Sequence, residues 1–295
     1  MPLEKAVIVG SSSQILGLRL SRYLKSSIVP VEFKTFPDGE RYIRIKEEPK
    51  NCHAVVVQST IPPNPNQSII ELCFILETLK EIGVEKITAV IPYFAYARQD
   101  KKFLPGEAVS GRIICKIIQN AGADEVITVD IHSKRMLENF KIPVKNISAV
   151  PQIGRYLKNF ELTNPLIISP DEGAIERAKN LAAFMDAEYV TFIKSRDKHT
   201  GEIEIQAKEI NVANRDVVIV DDIISTGGTM ASAIEIAKRQ GAVRVYAACT
   251  HAVLVGDSRF KILNAGANEI IGTDTVPSDV SFVSVAPIIA EALKE

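Results

Sequence analysis

The chain has 295 residues, of which 46% are hydrophobic and 24% are charged, and its formal net charge is −1. The length accommodates two compact domains of ordinary soluble composition, and the near-neutral charge excludes a bulk attraction to nucleic acid or to a membrane surface. No apolar run approaches the length of a membrane span, and the N-terminal residues lack the basic and apolar regions of a secretion signal. We therefore expect a cytoplasmic protein with no nucleic-acid or membrane partner.

The four cysteines, Cys52, Cys73, Cys115 and Cys249, form no C-x-x-C pair. Cys73 and Cys115 fall on the apolar faces of helix-like segments, where a thiol behaves as a small core side chain. This cysteine usage predicts a reduced protein without a zinc site.

Apolar runs alternate with segments of helical period along the whole chain. Short apolar runs predict the strands Lys5–Val9, Ala54–Gln58, Ile87–Ile91, Glu125–Val129, Leu166–Ser169, Tyr189–Ile193, Val217–Val220, Val243–Ala247 and Glu269–Gly272. Helical periodicity predicts helices in many of the gaps, among them Ser68–Ile82, Val109–Ala121, Ile175–Met185 and Thr229–Gln240. Such alternation is typical of an α/β architecture with mainly parallel sheets.

An internal repeat relates the two halves of the chain. The segments Asn120–Asp130 and Asn264–Asp274 are identical at seven of eleven positions. Upstream of them, Gly83–Ala89 resembles Gly241–Ala247. The alternative is that two unrelated units share a common helix end. We interpret the match as a duplication of one α/β design.

The duplication predicts a first domain over residues 1–149 and a second over 150–285. The last helix, 286–295, can pack back on the first domain. The first half also carries extra residues around Tyr93–Ser110. An insertion that is aromatic, basic and punctuated by proline and glycine is typical of a functional loop.

The segment Val217–Met230 reads VVIVDDIISTGGTM. It predicts a buried strand that ends at Asp221 and Asp222, followed by a glycine-rich turn and the start of a helix. The N–H groups of a helix N-terminus bind phosphate, and neighbouring carboxylates can hold sugar hydroxyls or a magnesium ion. The segment therefore predicts a site for a phosphorylated sugar, with a generic βα turn as the plain alternative. It is not a P-loop, because the chain contains no Gly-Lys dipeptide.

Five segments, in this order, give the chain a resemblance to the ribose-phosphate pyrophosphokinases, also called phosphoribosyl-pyrophosphate synthetases: Phe36–Glu40, Tyr93–Asp100, Val129–His132, Ser169–Gly173 and Val218–Thr229. The resemblance runs nearly end to end. It implies two tandem phosphoribosyltransferase-like (type I) domains with mainly parallel central sheets. It also implies an enzyme that uses Mg²⁺ and transfers the β,γ-diphosphoryl group of ATP to the 1-hydroxyl of ribose 5-phosphate.

The resemblance assigns ribose 5-phosphate to the second domain. Asp221 and Asp222 would hold the ribose hydroxyls. The turn that follows them would hold the 5-phosphate, with Ser225, Thr226, Gly227, Gly228 and Thr229 as its residues. Many relatives carry Asp-Thr-Ala-Gly-Thr in this turn, and Ser225 and Gly227 depart from that pattern.

Asp171 and His132 match the magnesium ligands of the family. Because Mg²⁺ keeps water and phosphate oxygens as ligands, one aspartate from the second domain suffices. Histidine is an unusual magnesium ligand, so the contact of His132 can run through water or phosphate. Taken without the resemblance, Asp171 before a helix is also a favoured N-cap.

ATP is assigned to two places in the first domain. Arg98 and Gln99 of the insertion would meet the triphosphate, which suits the planar fork of arginine. Phe36, Asp38 and Glu40 would meet the adenine, although their segment also reads as a plain turn. In relatives this loop reaches the active site of a neighbouring subunit. The resemblance therefore implies a homo-oligomer with its active site near a subunit interface.

The polar segment Lys194–Gly201 lies between two predicted strands, as a solvated hairpin does. The resemblance assigns catalysis to Lys194 and Arg196, and it also places Arg196 at ribose 5-phosphate. Diphosphoryl transfer passes through a state with spread charge, which positioned cations stabilise. A basic loop can close over the substrates and open again to release the product.

Two other functions remain open on the sequence. A phosphoribosyltransferase, which uses the same product as its donor, would share the segment Val217–Met230 but would not need Arg98, Gln99 or Phe36–Glu40. A non-catalytic regulatory homologue would keep the fold and lose residues of the site. Lys194 and the other assigned residues are all present here.

Overall fold

The computed structural model of the chain describes residues 3–196, 203–207 and 211–294, with the side chains of 193–196 and 203–207 excepted. Its contacts divide the chain into two units. The first unit holds the described residues of Met1–Ser148, Asp274–Pro277 and Ser284–Glu295. The second unit holds those of Ala149–Thr273 and Ser278–Val283.

Strands and helices alternate along the chain, as the hydrophobic pattern predicts. The strands are β1 (Lys5–Val9), β2 (Ser27–Val29), β3 (Val31–Thr35), β4 (Arg41–Ile45), β5 (His53–Val57), β6 (Lys86–Ile91), β7 (Glu125–Val129), β8 (Val144–Ile147), β9 (Leu166–Ser169), β10 (Glu188–Arg196), β11 (Ile203–Ala207), β12 (Val217–Ile224), β13 (Val245–Ala252) and β14 (Glu269–Ile271). The α-helices are α1 (Gln14–Leu24), α2 (Pro65–Ile82), α3 (Ser110–Asn120), α4 (Val150–Leu157), α5 (Ile175–Met185), α6 (Gly228–Arg239), α7 (Ser258–Asn264) and α8 (Ala286–Ala292).

The first unit is built on a parallel sheet of order β2-β1-β5-β6-β7-β8. Strands β5 and β7 are buried at every residue, as expected for a parallel sheet that is covered on both faces. Helix α2 covers part of it with Leu72, Ile75 and Leu79, which are fully buried. Helix α8 packs against α1 and β8, and its Ile289 is also fully buried. The hairpin β3–β4 is a separate antiparallel pair.

The second unit is built on a sheet of order β11-β10-β9-β12-β13-β14. Its neighbouring strands are parallel except for the β10–β11 pair. Ile219 of β12 and Cys249 of β13 lie in its core with Ile234 of α6. Both sheets are thus mainly parallel, which confirms the predicted fold class. Among the described helices, none combines the length and apolar character that a membrane crossing requires.

The repeated segments occupy equivalent places in the two units. Asn120 ends α3 and Asn264 ends α7. Two residues later, Gly122 and Gly266 adopt φ angles of 111° and 106°. In each unit the chain then enters a strand, β7 or β14. This equivalence supports the interpretation of the repeat as a duplication.

Two strands continue further than the apolar pattern predicts. The ladder of β12 with β13 includes Asp221, Ile223 and Ile224, so the prediction that the strand ends at the carboxylates is wrong. The strand continues because β13 is equally long and offers backbone partners throughout. Strand β10 likewise continues to Arg196, where it pairs with β11, so the prediction of a loop from Lys194 is also wrong.

Candidate active site

Two adjacent carboxylates lie in β12 of the second unit. Asp222 is buried and Asp221 is half-buried. The N–H of Asp222 donates to Oδ1 of Asp221 at 2.8 Å, and the N–H of Ile223 donates to Oδ1 of Asp222 at 2.9 Å. Burial raises the pKa of Asp221, and the charge of Asp222 raises it further, whereas Arg177 opposes the rise. The pair therefore favours a ligand that brings hydrogen-bond donors or positive charge.

Arg177 of α5 faces these carboxylates. Its Nη1 lies 3.7 Å from Oδ1 of Asp221, and the two side chains are 15% and 18% exposed. Its Nε is buried and makes no hydrogen bond to the described part of the chain. Arg177 is a residue of the candidate site that the sequence motifs do not indicate. The available signal was a cation in the first turn of a helix, where the helix dipole disfavours positive charge.

A short turn joins β12 to α6. Gly227 is the N-cap residue of α6 and has a φ of 77°, and a Cβ there would lie 3.0 Å from the carbonyl oxygen of Ser258. Glycine is therefore required at this position. Among the described residues, no side chain caps α6 by a hydrogen bond. The N–H groups in the first turn of this helix are suited to bind an anion. The helix begins at Gly228, one residue before the predicted start at Thr229, because Gly227 already adopts the cap conformation.

Asp171 follows β9, which is the neighbour of β12 in the sheet. Its Oδ1 accepts from the N–H of Gly173 at 3.0 Å and caps a single 3-10 turn, Glu172–Ala174, that leads into α5. The N-cap prediction is thus confirmed. Because β9 and β12 are parallel neighbours, Asp171 lies at the carboxyl end of the sheet, as does the turn after β12.

In the first unit, one hydrogen bond joins the insertion to the loop that carries His132. The Oγ of Ser133 donates to Oδ2 of Asp100 at 2.6 Å, and this bond lowers the pKa of Asp100. Arg98 and His132 are exposed, and Gln99 is half-buried. The bond therefore holds the loop of Arg98 and Gln99 next to the loop of His132, at the carboxyl ends of β6 and β7.

Residues Phe36–Glu40 form the turn of the β3–β4 hairpin, as their turn-like sequence predicts. The N–H of Phe36 donates to the carbonyl of Glu40 at 2.8 Å, and the N–H of Glu40 donates to Oδ1 of Asp38 at 3.1 Å. The ring of Phe36 is 47% exposed and meets Tyr42 edge-on. Glu40 lines a cavity of about 530 Å³ between the hairpin and α2. An exposed ring beside carboxylates suits the stacking and amino-group recognition of a base.

Lys194 and Arg196 lie at the end of β10, where their backbones pair with Ile205 and Ile203 of β11. Their side chains lie outside the described residues, as do residues 197–202 of the predicted catalytic loop. Within the ranges that the structure describes, no three His, Cys, Asp or Glu side chains form a group that could hold a metal ion.

Comparisons with known proteins give a consistent result. Residues 5–122 match the family model for the N-terminal domain of ribose phosphate pyrophosphokinase, and residues 144–267 match the phosphoribosyl transferase domain. A ribose-phosphate pyrophosphokinase from Methanothermobacter thermautotrophicus is 42% identical over 290 residues, which cover 98% of this chain and 100% of the relative. The protein of that name from Methanopyrus kandleri is 42% identical over 289 residues, 98% of each chain.

A solved structure shows the same architecture. The crystal structure of phosphoribosylpyrophosphate synthetase from Mycobacterium smegmatis matches this chain with a TM-score of 0.87 at 28% identity. The match covers 99% of this chain and 98% of that one. This chain therefore shares its fold with that structure.

Proposed function

The chain belongs to the ribose-phosphate pyrophosphokinase family, and we propose that it moves the β,γ-diphosphoryl group of ATP as one unit to the 1-hydroxyl of ribose 5-phosphate. It is a ribose-phosphate diphosphokinase with two phosphoribosyltransferase-type domains, and it makes phosphoribosyl diphosphate from these two substrates. The products of the proposed transfer are 5-phosphoribosyl 1-diphosphate and AMP. The observation that carries the proposal is the presence of two matched domains in one chain. The second holds the Asp221–Asp222 pair before the N-terminus of α6, and the first holds Arg98, Gln99 and Phe36–Glu40, which a phosphoribosyltransferase would not need.

Ribose 5-phosphate binds, in this proposal, along β12 and the turn that follows it. The carboxylates of Asp221 and Asp222 accept from ribose hydroxyls, which supply the donors that this buried pair favours. The 5-phosphate lies against the N–H groups of Gly228 and Thr229 at the start of α6, with hydroxyl donors from Ser225 and Thr226. The close backbone approach depends on Gly227, which has no Cβ.

ATP binds through residues of the first unit. Arg98 and Gln99 contact the triphosphate from the edge where the Asp100–Ser133 bond fixes their loop. Phe36, Asp38 and Glu40 contact the adenine. We also propose that the chain is a homo-oligomer in which this hairpin serves the active site of a neighbouring subunit. The exposure of the Phe36 ring at the hairpin tip supports this part of the proposal.

Mg²⁺ is the metal that the donor set suits. Asp171 offers a carboxylate, and its bond from Gly173 uses only part of the acceptor capacity of that group. His132 is exposed and offers a nitrogen, which Mg²⁺ accepts less readily, so we assign it a contact through water or phosphate. When bound, Mg²⁺ neutralises charge on the transferring diphosphoryl group.

Lys194 and Arg196 provide the catalytic charge in this proposal. Their backbones belong to the end of β10, and we propose that the basic segment closes and brings both cations to the diphosphoryl group. The 1-hydroxyl oxygen of ribose 5-phosphate attacks the β-phosphorus of ATP in line with the oxygen of AMP, whose bond to that phosphorus breaks. The two cations then stabilise the charge that spreads over the phosphate oxygens.

Phosphorus NMR of a reaction with ATP, Mg²⁺ and ribose 5-phosphate tests the proposal. We expect resonances of 5-phosphoribosyl 1-diphosphate and AMP in equal amounts, without any nucleobase. Formation of ADP would contradict transfer of the diphosphoryl group as a unit. Dependence on a nucleobase would identify a phosphoribosyltransferase, and the absence of any product would identify a non-catalytic homologue.

A further inference from the structure

Arg177 lies between the turn that carries Asp171, which is assigned to the metal, and strand β12, which is assigned to ribose 5-phosphate. It is the third residue of α5, directly after the 3-10 turn that Asp171 caps. Its guanidinium reaches β12, where Nη1 lies 3.7 Å from Oδ1 of Asp221. Only 15% of its side chain is exposed. The contact lies entirely within the second unit.

The position of Arg177 is unfavourable by the rules that stabilise helices. A cation in the first turn opposes the helix dipole, which favours negative charge there. The Nε group is buried and has no hydrogen-bond partner in the described ranges. Buried donors are otherwise almost always paired. Residues that break such local rules occur mainly at functional sites.

The neighbouring carboxylates supply the reason for this position. Asp221 and Asp222 are successive residues of a largely buried strand, so their negative charges repel each other at short distance. Oδ1 of Asp221 is fixed from one side by the N–H of Asp222 at 2.8 Å. Arg177 approaches the same oxygen from α5. The backbone and the guanidinium together therefore fix the direction in which this carboxylate points.

We propose, on the basis of the proposed function, that Arg177 is a positioning residue for ribose 5-phosphate. It holds the Asp221 carboxylate in place for the ribose hydroxyls and balances the charge of the Asp221–Asp222 pair. Substitution of Arg177 therefore weakens the binding of ribose 5-phosphate and leaves the binding of ATP unchanged. The residues assigned to ATP, such as Arg98 and Phe36, are in the first unit and do not depend on this contact.

Titration calorimetry and steady-state kinetics of Arg177→Met test the inference. We expect the Kd and the KM for ribose 5-phosphate to rise about tenfold, while the KM for ATP changes by less than about twofold. Arg177→Lys, which keeps the charge, should restore most of the affinity. Lys179→Met is the matched control, because Lys179 is an exposed cation on the same helix. Circular dichroism monitors the folding of each variant.

A double-mutant cycle separates positioning from a structural role. In the Asp221→Asn background, Arg177→Met should cause little further change in the Kd for ribose 5-phosphate, because the charge that Arg177 balances is gone. This background also provides a variant to measure if Arg177→Met alone does not fold. Equal increases in both KM values, without rescue by Arg177→Lys, would overturn the inference. Failure of the wild-type chain to bind ribose 5-phosphate would instead overturn the proposed function itself.

Discussion

Two groups of titratable side chains can be distinguished in this molecule: those proposed to present charge to a ligand, and those that lose charge on burial. In the proposed mechanism Lys194 and Arg196 belong to the first group. His53 belongs to the second, because it is the first residue of β5 and only 7% of its surface is exposed. The two groups are affected differently by substitution, since a charge that acts in the transition state contributes little to folding.

Lys194→Ala should lower kcat by about 10²–10³ and leave the Kd for ribose 5-phosphate within about twofold. The reason is that, in the proposed mechanism, the charge acts mainly on the diphosphoryl group as it is transferred. Rapid-quench kinetics and calorimetry measure the two quantities on the same preparation. Lys179→Ala is a suitable control from an exposed part of the second unit. An unchanged kcat would remove Lys194 from the mechanism.

Because His53 is buried, we expect the free energy of unfolding to depend on pH. Burial lowers its pKa from 6.5 to about 4, with a further contribution from Lys86 and Lys5, and its Nε2 lies 2.7 Å from Oγ1 of Thr88. The unfolded chain therefore binds a proton at a higher pH than the folded chain does. Stability from the neutral imidazole is complete above about pH 7 and is lost as the pH falls from about 6.5 towards 4.

Urea unfolding of His53→Gln and wild-type protein at pH 7.5 and pH 5 isolates this contribution, because the carboxylates titrate in both. Between these pH values the wild-type free energy of unfolding should fall by about 2 kcal/mol more than that of the variant. Parallel losses in the two proteins would show that His53 is not the group responsible.

Secondary structure elements differ in how much of them the sequence predicts. Strands β1, β7 and β9 and helix α5 have the predicted bounds, because their buried positions give an uninterrupted apolar or helical pattern. Strands β3 and β4 were not predicted. They form a hairpin in which apolar residues alternate with polar ones, as in VEFKT, and most of its residues are half-buried, so no apolar run marks these strands. Strands β2 and β8 are short and lack such a run as well.

The candidate site, too, is predicted only in part by the sequence. The Asp221–Asp222 pair and the turn after it were predictable because one continuous segment carries them. The continuation of β12 beyond the carboxylates depends on its neighbour β13, and the contact of Arg177 depends on the approach of α5. Both are tertiary relations between separate elements, which the local pattern does not contain.

The β3–β4 hairpin predicts a selective effect on ATP. Phe36→Ala should raise the KM for ATP about tenfold, since stacking of a base on an aromatic ring contributes roughly 1–3 kcal/mol. The melting temperature should stay almost unchanged, because the ring is 47% exposed and covers little of the core. Phe260→Ala, at a ring that is 69% exposed in the second unit, is the control. A larger effect on ribose 5-phosphate than on ATP would contradict the assignment.

At the scale of the whole molecule, the first unit is discontinuous in sequence. Asp274 connects its parts: Oδ2 accepts from Nη1 of Arg19 in α1 at 2.7 Å, and Oδ1 accepts from the N–H of Val285 at 2.8 Å. The side chain of Asp274 is 4% exposed. Nζ of Lys145 in turn donates to the carbonyl of Ala292 at 2.8 Å, at the other end of α8. Helix α8 is therefore attached at both ends to earlier parts of the chain.

Asp274→Ala should lower the free energy of unfolding by about 2 kcal/mol, because Val285 loses its buried hydrogen-bond acceptor and Arg19 loses its ion pair. Chemical denaturation measures the change. Hydrogen exchange should be faster in the variant than in the wild type, and this increase should be larger in α1 and α8 than in β12. Asp279→Ala is the matched control, since Asp279 is 64% exposed in an ion pair with Arg259 and should cost less than about 1 kcal/mol. Equal losses in both variants would contradict the role of Asp274.

The discontinuity of the first unit has a consequence for folding during synthesis. The face of α1 that α8 covers cannot be completed when Ser148 has emerged from the ribosome, because α8 ends only at Ala292. At about 5–20 residues per second, roughly seven to thirty seconds pass between the two events. All six described strands of the second sheet, β9 to β14, have been made by then. The part of the chain that is made first therefore completes its core last, because α1 stays uncovered on one face until α8 has been made.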